Sequence, residues 1–214
     1  MKTLRILILG ASLTLAGSLI PAKANLNAEF IDKNENNREY FTNINQESYK
    51  KIFNSIKSLS DKKSSGIEKN IDSAYKKLDV PEYINERFIK SIIGVESYCD
   101  PDRIGRDGEI GLMQISYGAW DQVEKKADFY KEAFIPRKNI EVGIKYLLWL
   151  DNFCKKKHPR WEELTDKQKR TIIVAAYNAG PYRLKEVDWN LKEIPPLTKW
   201  HITKINLYST LLKK

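Results

Sequence analysis

Histidine and cysteine occur only twice each in the 214 residues, as His158, His201, Cys99 and Cys154. Four scattered side chains do not provide the grouped donors of a metal centre, so neither a metal nor another cofactor is expected. Beyond residue 24 no apolar run reaches the roughly 20 residues a membrane helix needs, which argues against a stable membrane span. The chain also lacks an internal repeat and a clear series of alternating strands. With no nucleic-acid-binding motif present, nucleic acid is not an expected partner despite a formal charge of +9.

The apolar residues that are present begin at once. Lys2 and Arg5 precede a run from Ile6 to Ile20 that is broken by Gly10, Ser12, Thr14, Gly17 and Ser18 and followed by Ala22-Lys23-Ala24. A basic start, a short apolar stretch and an A-x-A site read as a secretory signal over residues 1–24. The alternative is a retained anchor, for which the run is short and polar. An exported, periplasmic or cell-envelope-associated protein is therefore expected. Loss of Lys2, Arg5 and Lys23 lowers the formal charge by three to +6, still basic. That excess could draw the protein to an anionic polymer or surface, or could be a solvated lysine-rich exterior. In an oxidising compartment an even cysteine count predicts a Cys99–Cys154 disulfide, worth roughly 4 kcal/mol by chain entropy.

Periodicity gives a mainly α fold, α+β at most. Residues 25–79 form a polar N-terminal segment with two amphipathic stretches. Tyr49, Ile52, Phe53, Ile56 and Leu59 mark the first; Ile67, Ile71, Ala74, Tyr75 and Leu78 mark the second. Their apolar faces are expected to pack on the domain over residues 80–214, with a partner-binding role as the alternative. In that domain Pro81 is read as opening a helix whose apolar side is Phe88, Ile89, Ile92, Ile93 and Val95, ending near Glu96. Pro101, Gly105 and Asp107-Gly108 then suggest turns and a small hairpin. Further helices are expected over about 116–126, 136–153, 165–179 and 196–212, with Gly180 and Pro181 closing the third of these.

Glu96 ends an otherwise apolar helix. Burying a carboxyl disfavours its charged form, which is the usual way to keep an acid able to donate a proton near neutral pH. The bland alternative is a solvent-facing or arginine-paired glutamate. Downstream, Gly111 could let backbone approach a polymer strand, while Met113 offers an adaptable apolar contact and Gln114 an amide for a sugar substituent. Tyr177 and Asn178 add a phenol and a second amide. Asp100, Asp102, Asp107 and Glu109 are further carboxylates, read as turn and surface residues.

At these positions the chain resembles a known family. Glu96-Ser97 with Pro101 is followed by Gly111-Leu112-Met113-Gln114-Ile115. Next comes Phe134-Ile135-Pro136-Arg137-Lys138-Asn139-Ile140 with Gly143 and Tyr146-Leu147, and finally Ala176-Tyr177-Asn178-Ala179-Gly180-Pro181. In order and spacing this is similar to the soluble lytic transglycosylase domain, over roughly residues 80–208. The resemblance implies a lysozyme-like helical domain that cleaves the β-1,4 bond between N-acetylmuramic acid and N-acetylglucosamine in peptidoglycan. One glutamate, Glu96 here, would act as acid and then base to leave a 1,6-anhydro sugar. Ser97, Met113, Gln114, Tyr177 and Asn178 would line the saccharide groove.

His201 stands where the family usually has a tyrosine. It could bond toward Glu96 or the sugar, titrate near the working pH, or be a surface substitution. Ile115-Ser116-Tyr117 also departs from the family's usual continuation. The expected partner is the glycan strand, in general wall turnover or beside a secretion or conjugation apparatus. A degenerate, binding-only site and a hydrolytic lysozyme are the competing readings.

Overall fold

The computed structural model describes residues 65–212, with shorter pieces at 5–8, 11–14, 28–29 and Asn54. The chain divides into two compact units, Met1–Asn54 and Ser55–Lys214. In the first, β1 (Arg5–Ile8), β2 (Ala11–Thr14) and β3 (Ala28–Glu29) pair antiparallel in the order β2-β1-β3. The amphipathic stretch expected around Tyr49 to Leu59 lies outside the described residues, apart from helical Asn54.

The second unit is helical, as the periodicity predicts. Its helices are α1 (Ser65–Tyr75), α2 (Glu86–Glu96), α3 (Tyr117–Val123), α4 (Phe129–Glu132), α5 (Pro136–Lys157), α6 (Asp166–Ala179), α7 (Pro181–Glu186) and α8 (Pro196–Leu211). α2 packs along α8, which also receives α6, while α5 packs against α1, α3, α6 and α7. α1 turns Ile71 and Ala74 inward. No helix among the described residues is long and apolar enough to cross a membrane.

Where boundaries differ from expectation, local chemistry explains the shift. α2 starts at Glu86 rather than near Pro81, because the Phe88 N–H donates to the Asn85 side chain at 3.0 Å. Residues 81–84 instead form a turn closed by the Ile84 N–H on the Pro81 carbonyl. α5 runs past Phe153 to Lys157, where Lys155, Lys156 and Lys157 suit the negative end of the helix dipole. Thr165 and Gln168 form a reciprocal capping box ahead of α6. Gly180 ends α6 at φ 86°, and Pro181 starts the unexpected α7 rather than merely stopping the chain. Between α2 and α3 the expected hairpin is reduced to isolated bridges, Ile104 with Ile110 and Ile110 with Ile115.

The interior of α2 comprises Phe88, Ile89, Ile92, Ile93 and Val95, each no more than 5% exposed. Truncating one such isoleucine to alanine costs about 2–5 kcal/mol. The helix ending at Glu96 is therefore set by the core it carries. Its outer face is tied to α1 through Lys90, which pairs with Glu68 and with Glu86.

The structure forms no disulfide between Cys99 and Cys154. Cys99 lies in the turn after α2, and Cys154 is fully buried in the last turns of α5. Burial pushes both thiols up to about 12, in Cys154 with help from Asp151.

Candidate active site

The last residue of α2 projects its carboxyl into a groove of about 420 Å³. Glu96 is one wall, with a side chain 15% exposed. Around it stand Gln114, Tyr146, Tyr177, Asn178, His201 and Lys204, with Arg103, Arg106, Asp107 and Glu109 from the preceding turns. Five segments distant in sequence thus converge on one carboxyl.

The backbone beside Glu96 reverses sharply. Tyr98 and Cys99 have φ of 55° and 67°, and Gln114 has φ of 45°, all in the left-handed region that non-glycine residues rarely occupy. Such conformations persist only where surrounding structure holds them, and they gather at functional sites. Beside Gln114 the retaining structure is a buried amide. Asn139, fully buried at the start of α5, accepts from the Met113 N–H at 2.8 Å and donates to the Ile110 and Ala133 carbonyls at 2.9 and 2.7 Å. The 110–113 segment is thereby locked to α5. Gly111 has φ 80°, and a Cβ there would lie 2.6 Å from the Ala133 carbonyl oxygen and closer still to Asn139 Nδ2. The close approach that requires glycine is to Asn139, not to a polymer strand.

Met113 and Ser97 consequently stand behind the groove wall rather than in it. Met113 is fully buried against Gly143, and its carbonyl accepts from the Tyr177 hydroxyl at 2.6 Å. Ser97, 1% exposed, turns its hydroxyl back onto the Ile93 carbonyl. Both hold the frame. Gln114 does reach the groove, with its Nε2 donating to the Arg103 and Gly111 carbonyls at 3.0 and 2.9 Å. That fixes the amide and leaves its oxygen toward Gly105.

Tyr177 and Asn178 arrive on the last turn of α6. Burial pushes the Tyr177 phenol well above its ordinary range, with the Glu96 carboxylate and Tyr146 adding to the effect. It stays a neutral donor. His201 is 6% exposed, which excludes a surface substitution. Its Nε2 is 3.0 Å from Glu96 Oε1, within ion-pair reach but without completing a directed hydrogen bond, so this buried nitrogen has no hydrogen-bond partner. A buried polar atom left unsatisfied beside a carboxylate marks a site built for something other than stability.

Sequence reasoning missed Lys204, Tyr146 and Asn139. Lys204 lies one turn beyond His201 on α8, and its spacing from His201 was the available signal. Burial lowers its ammonium below the usual range; Glu96 opposes that shift and Arg103 adds to it. Tyr146 tilts against Tyr177 with ring centroids 5.6 Å apart. Asn139, an amide among the apolar positions opening α5, was legible as a polar residue with backbone to satisfy. Asp107 and Glu109 also reach the groove, and Glu109 Oε2 accepts from the Asp107 N–H at 3.1 Å.

A curated relative shares this stretch of sequence. Membrane-bound lytic murein transglycosylase E of Buchnera aphidicola subsp. Acyrthosiphon pisum (strain APS) is 31% identical over 137 residues, covering 61% of this chain and 55% of the relative. The chain thus spans about half the length of that protein. The family model for the Transglycosylase SLT domain matches residues 68–193, from α1 to the turn before α8, and takes in Glu96 together with Gln114, Asn139, Tyr177 and Asn178. With more than half of the chain matched, on the helices that build this groove, the protein belongs to the Transglycosylase SLT domain family.

Proposed function

We propose that this protein is an exported peptidoglycan lytic transglycosylase that cleaves the β-1,4 bond between N-acetylmuramic acid and N-acetylglucosamine. The observation that carries the reading is the Glu96 carboxyl, nearly buried in a groove walled by Gln114, Tyr177 and His201. In the first half of the reaction Glu96 gives its proton to the glycosidic oxygen, the C1–O4 bond breaks, and N-acetylglucosamine leaves with a free 4-hydroxyl. The 2-acetamido oxygen shields the cation developing at C1. In the second half the carboxylate takes the proton of the muramic acid C6 hydroxyl as that oxygen bonds to C1. The product is a 1,6-anhydro sugar, and no water is consumed. One carboxyl suffices because the same proton site is emptied and refilled.

His201 and Lys204 face the carboxylate that exists between the two halves, which gives each a role in holding it. Gln114, Tyr177 and Asn178 orient the sugar amides. Asp107 and Glu109 favour a second reading, hydrolysis by a lysozyme-type pair of carboxylates. Mass spectrometry of muropeptides released from sacculi separates the readings, because the anhydro product is lighter by one water. Release of no muropeptide at all would leave only a binding role. Residues 1–24 serve in this proposal as an export leader to the cell envelope, which N-terminal sequencing of the mature protein tests. Such an enzyme suits clearance beside a secretion or conjugation apparatus as well as general wall turnover.

A further inference from the structure

Tyr117 and Tyr130 are two of the most exposed large side chains in the described residues, at 58% and 72%. They are not loose. Their rings lie parallel within 15° with centroids 6.4 Å apart. Phe129, only 4% exposed, meets Tyr117 edge-on at 5.7 Å and Tyr130 at 5.1 Å. Phe129 in turn rests edge-on against Trp120, which is 1% exposed and donates its indole N–H to the Ala127 carbonyl at 3.1 Å. Two solvent-facing rings are thus fixed by a buried pair, so the ordering cost of presenting them is met by the fold itself.

A preorganised exposed aromatic pair needs an occupant, and its position points to one. Tyr117 follows Ser116 and precedes Ala119, both of which line the groove. Between them Gly118 leaves open space where a side chain would stand. The groove is near the lower end of the roughly 300–1,000 Å³ that holds a drug-sized ligand, so it accepts only a few sugars of a polymer. A strand leaving the groove on the Ser116 side would continue over Tyr117, the next residue in the chain. β-1,4-linked N-acetylhexosamines carry their substituents equatorially, so each ring presents a face of axial C–H groups to the negative face of an aromatic ring. Neither phenol hydroxyl has a hydrogen-bond partner among the described residues, which leaves both for sugar hydroxyls.

We propose that Tyr117 and Tyr130 form a stacking subsite, outside the catalytic groove, for a further N-acetylhexosamine ring of the same glycan strand. The inference rests on the glycan reading of the groove and extends it. It assigns to this pair a length-dependent grip on the polymer rather than any part in bond breaking.

The test uses the full mature chain carrying Glu96→Gln to prevent turnover, titrated calorimetrically with chito-oligosaccharides of increasing length. Affinity is expected to rise once the oligomer outgrows the groove, by roughly threefold to tenfold. Tyr117→Ala with Tyr130→Ala removes that rise, and the paired Phe substitutions keep most of it. A cooperative melt and unchanged far-ultraviolet circular dichroism establish that the alanine variants are folded. The same length dependence with and without the rings overturns the subsite. The two readings fail separately. Wild-type protein that yields anhydro muropeptides while length dependence ignores the rings sinks the subsite alone. Absence of anhydro products, with ring-dependent binding of long oligomers intact, sinks the catalytic reading and sustains the subsite.

Discussion

His201 Nε2 stands 3.0 Å from Glu96 Oε1, joining the final residue of α2 to the middle of α8. The contact couples two helices that pack along one another, so the carboxyl and the imidazole are aligned by the same packing that stabilises the fold. Replacing His201 by phenylalanine keeps the ring volume and removes the nitrogen. On sacculi kcat is expected to fall about 10–100-fold through misplacement of the carboxyl, with KM nearly unchanged. An unaltered kcat would show that the contact is incidental.

Glu96→Gln is expected to lower muropeptide release by about 100-fold to 10,000-fold, because the amide fills the same space without a transferable proton. Its melting temperature should match that of the wild type. Turnover at the wild-type rate would remove Glu96 from the role of acid.

Asn139→Ala leaves the Met113 N–H and two carbonyls without their side-chain partner in the interior. A loss of about 3 kcal/mol follows, or close to 10 °C in melting temperature for a chain of this size. Activity should fall with it, since the 110–113 segment leads directly into Gln114. Calorimetry showing a shift below about 2 °C would mean that water replaces the amide.

The Glu124 carboxyl is held down to about 2, first by the hydrogen bond from Lys145 and then by that from Lys138, against the opposing effect of burial. Because its folded value lies below the ordinary 4.5, its contribution is complete above that pH and is lost as pH falls toward 2. Glu124→Gln is thus expected to melt lower than wild type at pH 7, by roughly 1–2 kcal/mol, with the difference closing between pH 4.5 and 2. A gap that persists unchanged at low pH would assign the effect to packing.

With no disulfide formed in the structure, two cysteine thiols per chain should be counted by a chromogenic thiol reagent in denaturant without reductant. Before unfolding, Cys154 should react slowly, being fully buried with its thiol pushed up to about 12. Melting curves with and without reductant are expected to coincide. A count of zero would restore the bridge.

The helical class of the domain, the apolar face of α2, the Gly180–Pro181 break and the motif residues of the family were all legible in the amino-acid sequence. They depend on spacing and local backbone chemistry, which act over a few residues: Phe88 to Val95 repeat at helical intervals whatever they pack against, and Gly180 stops α6 because φ 86° suits a residue without Cβ. What lies at long range was decided by the tertiary structure alone. Met113 and Gln114 are neighbours, yet one faces Gly143 and the other the groove, because Asn139 fixes the backbone between Ile110 and Met113. His201 is a lone imidazole in the sequence of α8, and only the packing of α8 on α2 places its nitrogen against Glu96, since side-chain direction at a groove is set by which helices share a core.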